Sequence, residues 1–182
     1  LKQKILKLIP KNDIVIVSDY GHGFISEKNA KLISNKSKFI ALNAQVNASN
    51  IGYHTMDKYK KVDCVIVNEN ELRHELRDKH RTVKELMNKL SNKLNFKDLI
   101  VTKGIDGAIL YNKKIRKYFE CPAFASKVVD KIGAGDAMLA ILSISLKKGF
   151  EKNFSLLLGS LAAAQSVETI GNKIPVEKNK IL

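Results

Sequence analysis

The chain has 182 residues, 45% of them hydrophobic and 27% charged, with 32 Lys and Arg against 18 Asp and Glu for a formal net charge of +14. That length suits one domain able to bury a core without disulfides or metal, and the composition excludes an intrinsically disordered chain. No apolar run approaches the roughly 18 to 20 residues a membrane span needs, and no charged-then-apolar leader opens the chain, so a soluble cytoplasmic protein with no membrane partner is expected. The basic excess is nearly all lysine, since Arg73, Arg77, Arg81 and Arg116 are the four arginines. Lysine scattered among asparagine reads as a solvated surface rather than a nucleic-acid reader, though it would attract anionic substrates such as nucleotides and sugar phosphates. No nucleic-acid partner is expected. Cys64 and Cys121 form no CxxC pair, and Cys64 in "DCVIVN" reads as a small buried strand residue. The chain opens on Leu1 rather than methionine, as a fragment would.

Short apolar runs alternate with longer amphipathic ones. "DIVIVS" (13–18), "KFIALN" (38–43), "DCVIVN" (63–68) and "DLIVT" (98–102) predict buried strands, each continuously apolar over a few residues. "SEKNAKLISNK" (26–36) and "TVKELMNKLSNKL" (82–94) predict helices, the latter with Leu86, Leu90 and Leu94 at helical spacing. Ser26 and Thr82 are suited to cap them, and Thr82 with Glu85 makes a capping box. This alternation predicts a parallel sheet covered by helices on both faces. "GAILYN" (107–112) and "IRKYFE" (115–120) then predict a hairpin, and helices are expected at 134–148 and 153–169. No internal repeat, low-complexity tract or Pro/Gly/Ser-rich linker divides the chain, so residues 1–182 read as one domain.

Ligands of open parallel sheets gather outside the carboxyl ends of the strands. The loops there are "SDYGHGF", "NAQVNASN", "NENE" and "TKGIDG", all rich in polar groups. The remaining stretch, "DKIGAGDAMLAI" (130–141), carries the most chemistry. Gly133 and Gly135 allow close backbone approach and put consecutive N–H groups at a helix start, which is an anion site. Asp136 falls in that helix's first turn, where a carboxylate can take the proton of an attacking hydroxyl while the amides steady a phosphoryl group. The plainer alternative is a tight turn followed by a helix cap.

The company this motif keeps resembles the ribokinase-like, or PfkB, carbohydrate kinases. "DKIGAGDAMLA" resembles that family's C-terminal motif, "NENE" its Asn-x-x-Glu motif, and "VTKGIDGAIL" its nucleotide-side strand and turn, in the same order and across essentially all 182 residues. The resemblance implies a ribokinase-like three-layer α/β/α fold with a mostly parallel central sheet. It also implies that the small lid sheet and most sugar-binding groups belong to an N-terminal half outside the chain, so that the fragment alone is inactive and leaves a sheet edge uncovered.

Carried over by residue, the resemblance makes Asp136 the catalytic base and the amides of Gly133, Ala134 and Gly135 the anion hole. Asn68 and Glu71 would organise Mg²⁺ and the ATP phosphates, Glu71 through water. Thr102, Lys103, Gly104 and Gly107 would line the nucleotide, with Ser160 and Asn172 toward the adenine. Asp130 resembles the start of a monovalent-cation loop, for an ion such as K⁺, found in some members. Read from the residues alone, the alternatives are a solvent-facing helix residue for Glu71, a surface lysine for Lys103, and for "GIDG" a turn that any hairpin requires.

"SDYGHGF" resembles "SDYGKG" of the heptose-phosphate kinases that serve nucleotide-sugar synthesis, with His22 in place of the lysine. Asp19 and His22 are thus candidates for the sugar or its phosphate, the alternative being a structural strand-to-helix turn. The second loop supplies Asn43, Gln45 and Asn47, amides where an Asp-Pro-Lys run is expected, and this departure leaves the usual heptose phosphate in question. Lys131 is a further departure, beside Asp130. His54, His74 and His80 show no zinc-ligand pattern.

The resulting expectation is an ATP- and Mg²⁺-dependent kinase of a sugar or sugar-phosphate hydroxyl. A homodimer and a fused nucleotidyltransferase domain outside the chain are compatible with it. The alternatives are a vitamin-precursor or nucleoside kinase of the same fold, and a nucleotide-sensing or assembly module without turnover.

Overall fold

The computed structural model describes residues 1–45, 56–170, 175–177 and 179. Its elements are α1 (Lys2–Leu8), β1 (Val15–Asp19), α2 (Glu27–Lys36), β2 (Ile40–Ala44), β3 (Val62–Asn68), α3 (Glu69–Leu76), α4 (Val83–Lys93), β4 (Phe96–Thr102), β5 (Ala108–Asn112), β6 (Lys117–Cys121), α5 (Ala134–Lys148) and α6 (Lys152–Val167). The six strands lie side by side in chain order, β1 to β4 parallel and β5 and β6 antiparallel. Every expected strand and helix is present within two residues of its predicted bounds.

Local chemistry accounts for most of these boundaries. The Ser26 hydroxyl accepts the Asn29 amide at the start of α2, and Thr82 and Glu85 form the expected capping box on α4. α5 stops at Gly149, whose φ of 83° is left-handed and whose amide returns to the carbonyls of the last turn. The turn between β4 and β5 is closed by Gly107, at φ 80°, where a Cβ would lie 2.1 Å from the Cys121 carbonyl oxygen. Only a residue without a side chain fits that approach.

Two helices were not anticipated, α1 and α3. Both are a turn or two long, too short for an apolar period to stand out, and α3 is announced only by its cap. β1 and β2 each run one residue past their predicted ends, to Asp19 and Ala44, and β3 ends at Asn68 as predicted. Ser18, Asp19, Asn43 and Asn68 belong to the strand ladders rather than to the loops that follow.

Helices cover both faces of the sheet. On one face Val17, Leu42, Val65, Val67, Leu99 and Val101 pack with Ile33 of α2, Leu72 of α3, and Leu86, Met87 and Leu90 of α4. On the other, Ala41, Cys64, Ile66, Ile100 and Leu110 pack with Met138, Leu139 and Leu142 of α5 and Leu156 of α6. The period-two alternation of each strand thus divides its residues between two cores, and apolar burial on both sides explains the uninterrupted apolar runs. Cys64 and Cys121 are both buried free thiols; burial, with Asp98 nearby, pushes the Cys64 thiol well up. No helix among the described residues is long and apolar enough to cross a membrane.

Candidate active site

The parallel ladders bring the polar strand ends to one edge. Ser18 is level with Asn43, Asn43 with Ile66, and Asn68 with Thr102. Gln45 continues the row, its amide donating to the Asp19 carbonyl at 2.9 Å. The start of α5 is tied to this edge by a long-range hydrogen bond, in which the Ser18 hydroxyl donates to Asp136 Oδ1 at 3.0 Å.

Gly133 caps α5 with φ 87°, a left-handed conformation that glycine adopts without strain. The first bond closing the helix runs from the Ala137 amide to the Gly133 carbonyl at 2.9 Å. The amides of Ala134, Gly135 and Asp136 therefore precede any intrahelical partner, as the first N–H groups of a helix must. A Cβ on Gly135 would meet nothing within 4 Å, so the helix start faces open space there. Asp136 is half-buried beside it. A carboxylate and a row of outward amides now share one mouth, an arrangement suited to receive a proton and hold an anion.

The loop before α5 is tied down at its base. The Val129 and Asp130 amides both donate to the Val167 carbonyl, at 2.7 and 3.1 Å, and Asp130 Oδ1 accepts the Ile132 amide at 2.9 Å. Ser126 donates through its amide and hydroxyl to Glu168. The Asp130 backbone is thus tied to the end of α6, and its carboxylate turns back on its own loop.

Asn68 and Glu71 form a capping box on α3. Asn68 Oδ1 accepts the Glu71 amide at 2.8 Å, and the Asn68 amide donates to Glu71 Oε2 at 2.7 Å. Glu71 is 7% exposed, so it is not the solvent-facing helix residue that remained open from sequence. Its oxygens, with that of Asn68, are the hard donors Mg²⁺ takes, but one carboxylate oxygen is committed to the helix cap. That chemistry fits a cation held at one remove, through water, with phosphates as the direct oxygen ligands. Among the described residues no cluster of three or more His, Cys, Asp or Glu could hold a metal ion alone.

Thr102 closes β4, and the Lys103 amide donates to the Gly107 carbonyl at 2.8 Å, folding Gly104–Asp106 into a single 3-10 turn. Gly104 has φ 60° with open space around it, unlike the crowded Gly107. Ser160 lies buried on α6, its hydroxyl without a partner among the described residues. Asn47 and Asn172 fall outside the described residues, as does His54.

The "SDYGHGF" stretch divides by strand alternation. Ser18 faces α5, whereas Asp19 points to the opposite face and is 4% exposed. Asp19 Oδ1 accepts the Gly21 amide at 3.0 Å, and Oδ2 takes both the Tyr59 hydroxyl and the Lys58 ammonium at 2.6 Å. Burial alone would raise its carboxyl, but Lys58, Tyr59 and Gly21 together outweigh that and hold it below the usual range. Burial, then Asp19, pushes the Tyr59 hydroxyl far up. His22 by contrast is exposed. The Asn43 amide group donates to the Ile66 carbonyl at 3.0 Å, while its Oδ1 is buried with no partner among the described residues.

Three side chains of this region were not singled out from sequence: Ser18, Lys58 and Tyr59. Ser18 lay inside a quoted motif, and alternation says that Ser18 and Asp19 face opposite ways, but not which of the two meets the helix. Lys58 is one lysine among many and carries no distinguishing spacing.

A separate surface hollow of about 1210 Å³ opens at the α3–α4 turn, lined in part by Arg73, Arg77, Asp78, His80 and Arg81, and includes none of the candidate residues. Arg73 is engaged by Glu69, and Arg81 by Asp78, so two of the three guanidinium groups are spent on holding the turn. Arg81, Lys89 and two backbone amides outweigh burial to hold the Asp78 carboxyl far below its usual range.

A three-layer α/β/α fold with a glycine-led helix start and a carboxylate at the carboxyl edge of parallel strands is an arrangement suited to phosphoryl transfer. Comparison with known proteins specifies the family. The family model described as pfkB family carbohydrate kinase matches residues 1–179, and the chain belongs to that family. It is 30% identical over 175 residues to the bifunctional protein HldE of Campylobacter curvus (strain 525.92), covering 94% of this chain and 36% of that protein. The HldE of Campylobacter concisus (strain 13826) is 30% identical over 162 residues, covering 87% and 33%. The chain thus spans about a third of the length of these curated relatives.

Among solved structures, Arabidopsis thaliana ribokinase complexed with ribose and ATP superposes with a TM-score of 0.79 at 20% identity, over 97% of this chain and 56% of that one. Phosphofructokinase-2 from Escherichia coli in complex with potassium gives 0.80 at 13% identity, over 98% and 58%. The fold is ribokinase-like.

Proposed function

We propose that the chain is the nucleotide- and base-bearing part of a kinase that transfers the γ-phosphoryl group of ATP to a hydroxyl of a sugar or sugar phosphate. The observation that carries this reading is the start of α5, where outward amides and the Asp136 carboxylate open together on the carboxyl edge of the strands. In the reaction Asp136 accepts the proton of the acceptor hydroxyl as its oxygen bonds to phosphorus and the bond to ADP breaks. The amides of Gly133, Ala134 and Gly135 hold the oxygens of the phosphoryl group in transit. Thr102, Lys103, Gly104 and Gly107, with Ser160 and Asn172, would border the nucleotide, and Asn68 and Glu71 would hold Mg²⁺ through water. When bound, that ion supplies charge neutralisation to the phosphates. Asp130, whose backbone is tied to the end of α6, would serve a monovalent cation; the potassium complex of a structural relative supports this part.

The acceptor is a heptose phosphate or a close analogue. HldE relatives support the assignment, and exposed His22 with Asn43, Gln45 and Asn47 supplies the hydrogen-bonding groups. Asp19 contributes by clamping the loop, since its oxygens are already engaged. A further catalytic domain accompanies the kinase in the whole protein, in line with the word bifunctional in the relatives' name and the third of their length matched here. Such substrates put the reaction in the cytoplasm.

The test is ADP release by the full-length protein with a panel of sugars and sugar phosphates, heptose 7-phosphate included, beside the Asp136→Asn variant. Acceptor-dependent turnover that falls at least about 100-fold in the variant is expected. Binding of Mg·ATP with no acceptor stimulating turnover would replace the kinase by a sensing or assembly module.

A further inference from the structure

We infer that Ser18 is the positioning residue of the base, holding one oxygen of the Asp136 carboxylate so that the other is presented to the acceptor hydroxyl. The inference rests on the kinase reading and refines its base. The two residues stand 118 positions apart, and the Ser18 hydroxyl donates to Asp136 Oδ1 at 3.0 Å. No other described residue gives the Asp136 side chain a hydrogen bond, so a single donor sets its orientation.

The donor itself is rigidly held. The β1–β2 ladder runs in unbroken register from Val15 to Asp19, with Ser18 level with Asn43, and Asn43 is locked on the Ile66 carbonyl. The next residue, Asp19, is clamped on the opposite face by Gly21, Lys58 and Tyr59. A serine at the end of a fixed strand thus reaches a carboxylate at the start of a helix, and it is the direct side-chain bond between sheet and base.

A purely structural tie between β1 and α5 is the competing explanation. α5 is already anchored by fully buried Met138, Leu139 and Leu142, so one half-buried hydroxyl bond adds little to its docking. What the bond does control is the rotation of the carboxylate. A carboxylate that loses its one hydrogen bond among the described residues swings between orientations, only some of which line up with an attacking hydroxyl.

The experiment compares Ser18→Ala, Ser18→Thr and Asp136→Asn in the full-length protein. Ser18→Ala is expected to lower kcat about 10- to 100-fold while KM for ATP and acceptor stays within about threefold, and Ser18→Thr, which keeps the hydroxyl, restores kcat. The side-chain carboxyl ¹³C resonance of Asp136, assigned by its disappearance in Asp136→Asn, moves in Ser18→Ala and returns in Ser18→Thr. An unchanged kcat in Ser18→Ala while Asp136→Asn abolishes turnover overturns the role of Ser18 and leaves the base intact. Full turnover in Asp136→Asn overturns the base and this inference with it. Should no acceptor be turned over, the resonance decides, and one that stays in place in Ser18→Ala refutes the positioning role.

Discussion

Replacing Lys58 by methionine tests how the carboxyl edge is held. The change keeps the stem of the side chain and removes its charge, leaving Asp19, 4% exposed, without its ammonium partner. Breaking a buried ion pair from one side destabilises a protein by about 3 to 5 kcal/mol, because the remaining charge is left uncompensated. Here Asp19 keeps two donors, the Tyr59 hydroxyl and the Gly21 amide, which argues for less. The Ile25 carbonyl, which also accepts from Lys58 at 3.0 Å, is left short of a donor, which argues for more. A loss of about 2 to 4 kcal/mol is expected at pH 7.

The loss depends on pH in a definite direction. The folded Asp19 carboxyl is held below its ordinary value near 3.8, so its stabilising effect is complete above that value and fades as pH falls through the lower folded one. Loss of Lys58 leaves burial to raise the Asp19 carboxyl in the variant, so urea unfolding at pH 7, 5 and 3.5 should show a gap between wild type and Lys58→Met that is widest at pH 7 and smallest at pH 3.5. Adding Asp19→Asn to Lys58→Met removes the stranded charge and should recover about half of the loss. A single variant within about 0.5 kcal/mol of wild type at pH 7, well below the buried-pair range, would refute the reasoning. So would a gap that persists undiminished at pH 3.5.

The two glycines of the β4–β5 turn should separate sharply. Gly107→Ala drives a Cβ into the Cys121 carbonyl and the Pro122 backbone and should lower stability by about 3 kcal/mol or more, whereas Gly104→Ala meets open space and should lose only about 1 kcal/mol to its positive φ, both read from thermal or urea unfolding. Asn68→Ala should weaken α3 by about 1 kcal/mol through the lost cap. Asn68→Ser restores the cap, so a Mg·ATP affinity that stays low in the serine variant, measured by calorimetry, identifies a direct role for the amide. Recovery of affinity along with stability would assign Asn68 to the helix cap only.

The elements were largely legible in the chain because their causes are local. Continuous apolar runs require strands buried on both faces, Ser26 and Thr82 stop the backbone where a helix begins, and Gly133 and Gly149 bracket α5. The candidate base and its amides were legible for the same reason, since a glycine-led helix start and a first-turn aspartate occupy neighbouring positions. α1 and α3 were not, because so few residues hold no full apolar period.

Tertiary structure decided everything that depends on which strand lies beside which. Only the ladder shows that Ser18, Asn43, Asn68 and Thr102 lie along one edge. Only packing shows that Ser18 faces Asp136 while Asp19, one residue later, turns away to a buried lysine. Sequence by itself determined the chemical groups and the alternation that sends neighbours to opposite faces. Which face meets the helix carrying Asp136 is set by burial of two different cores, a property of the whole chain that no short stretch contains.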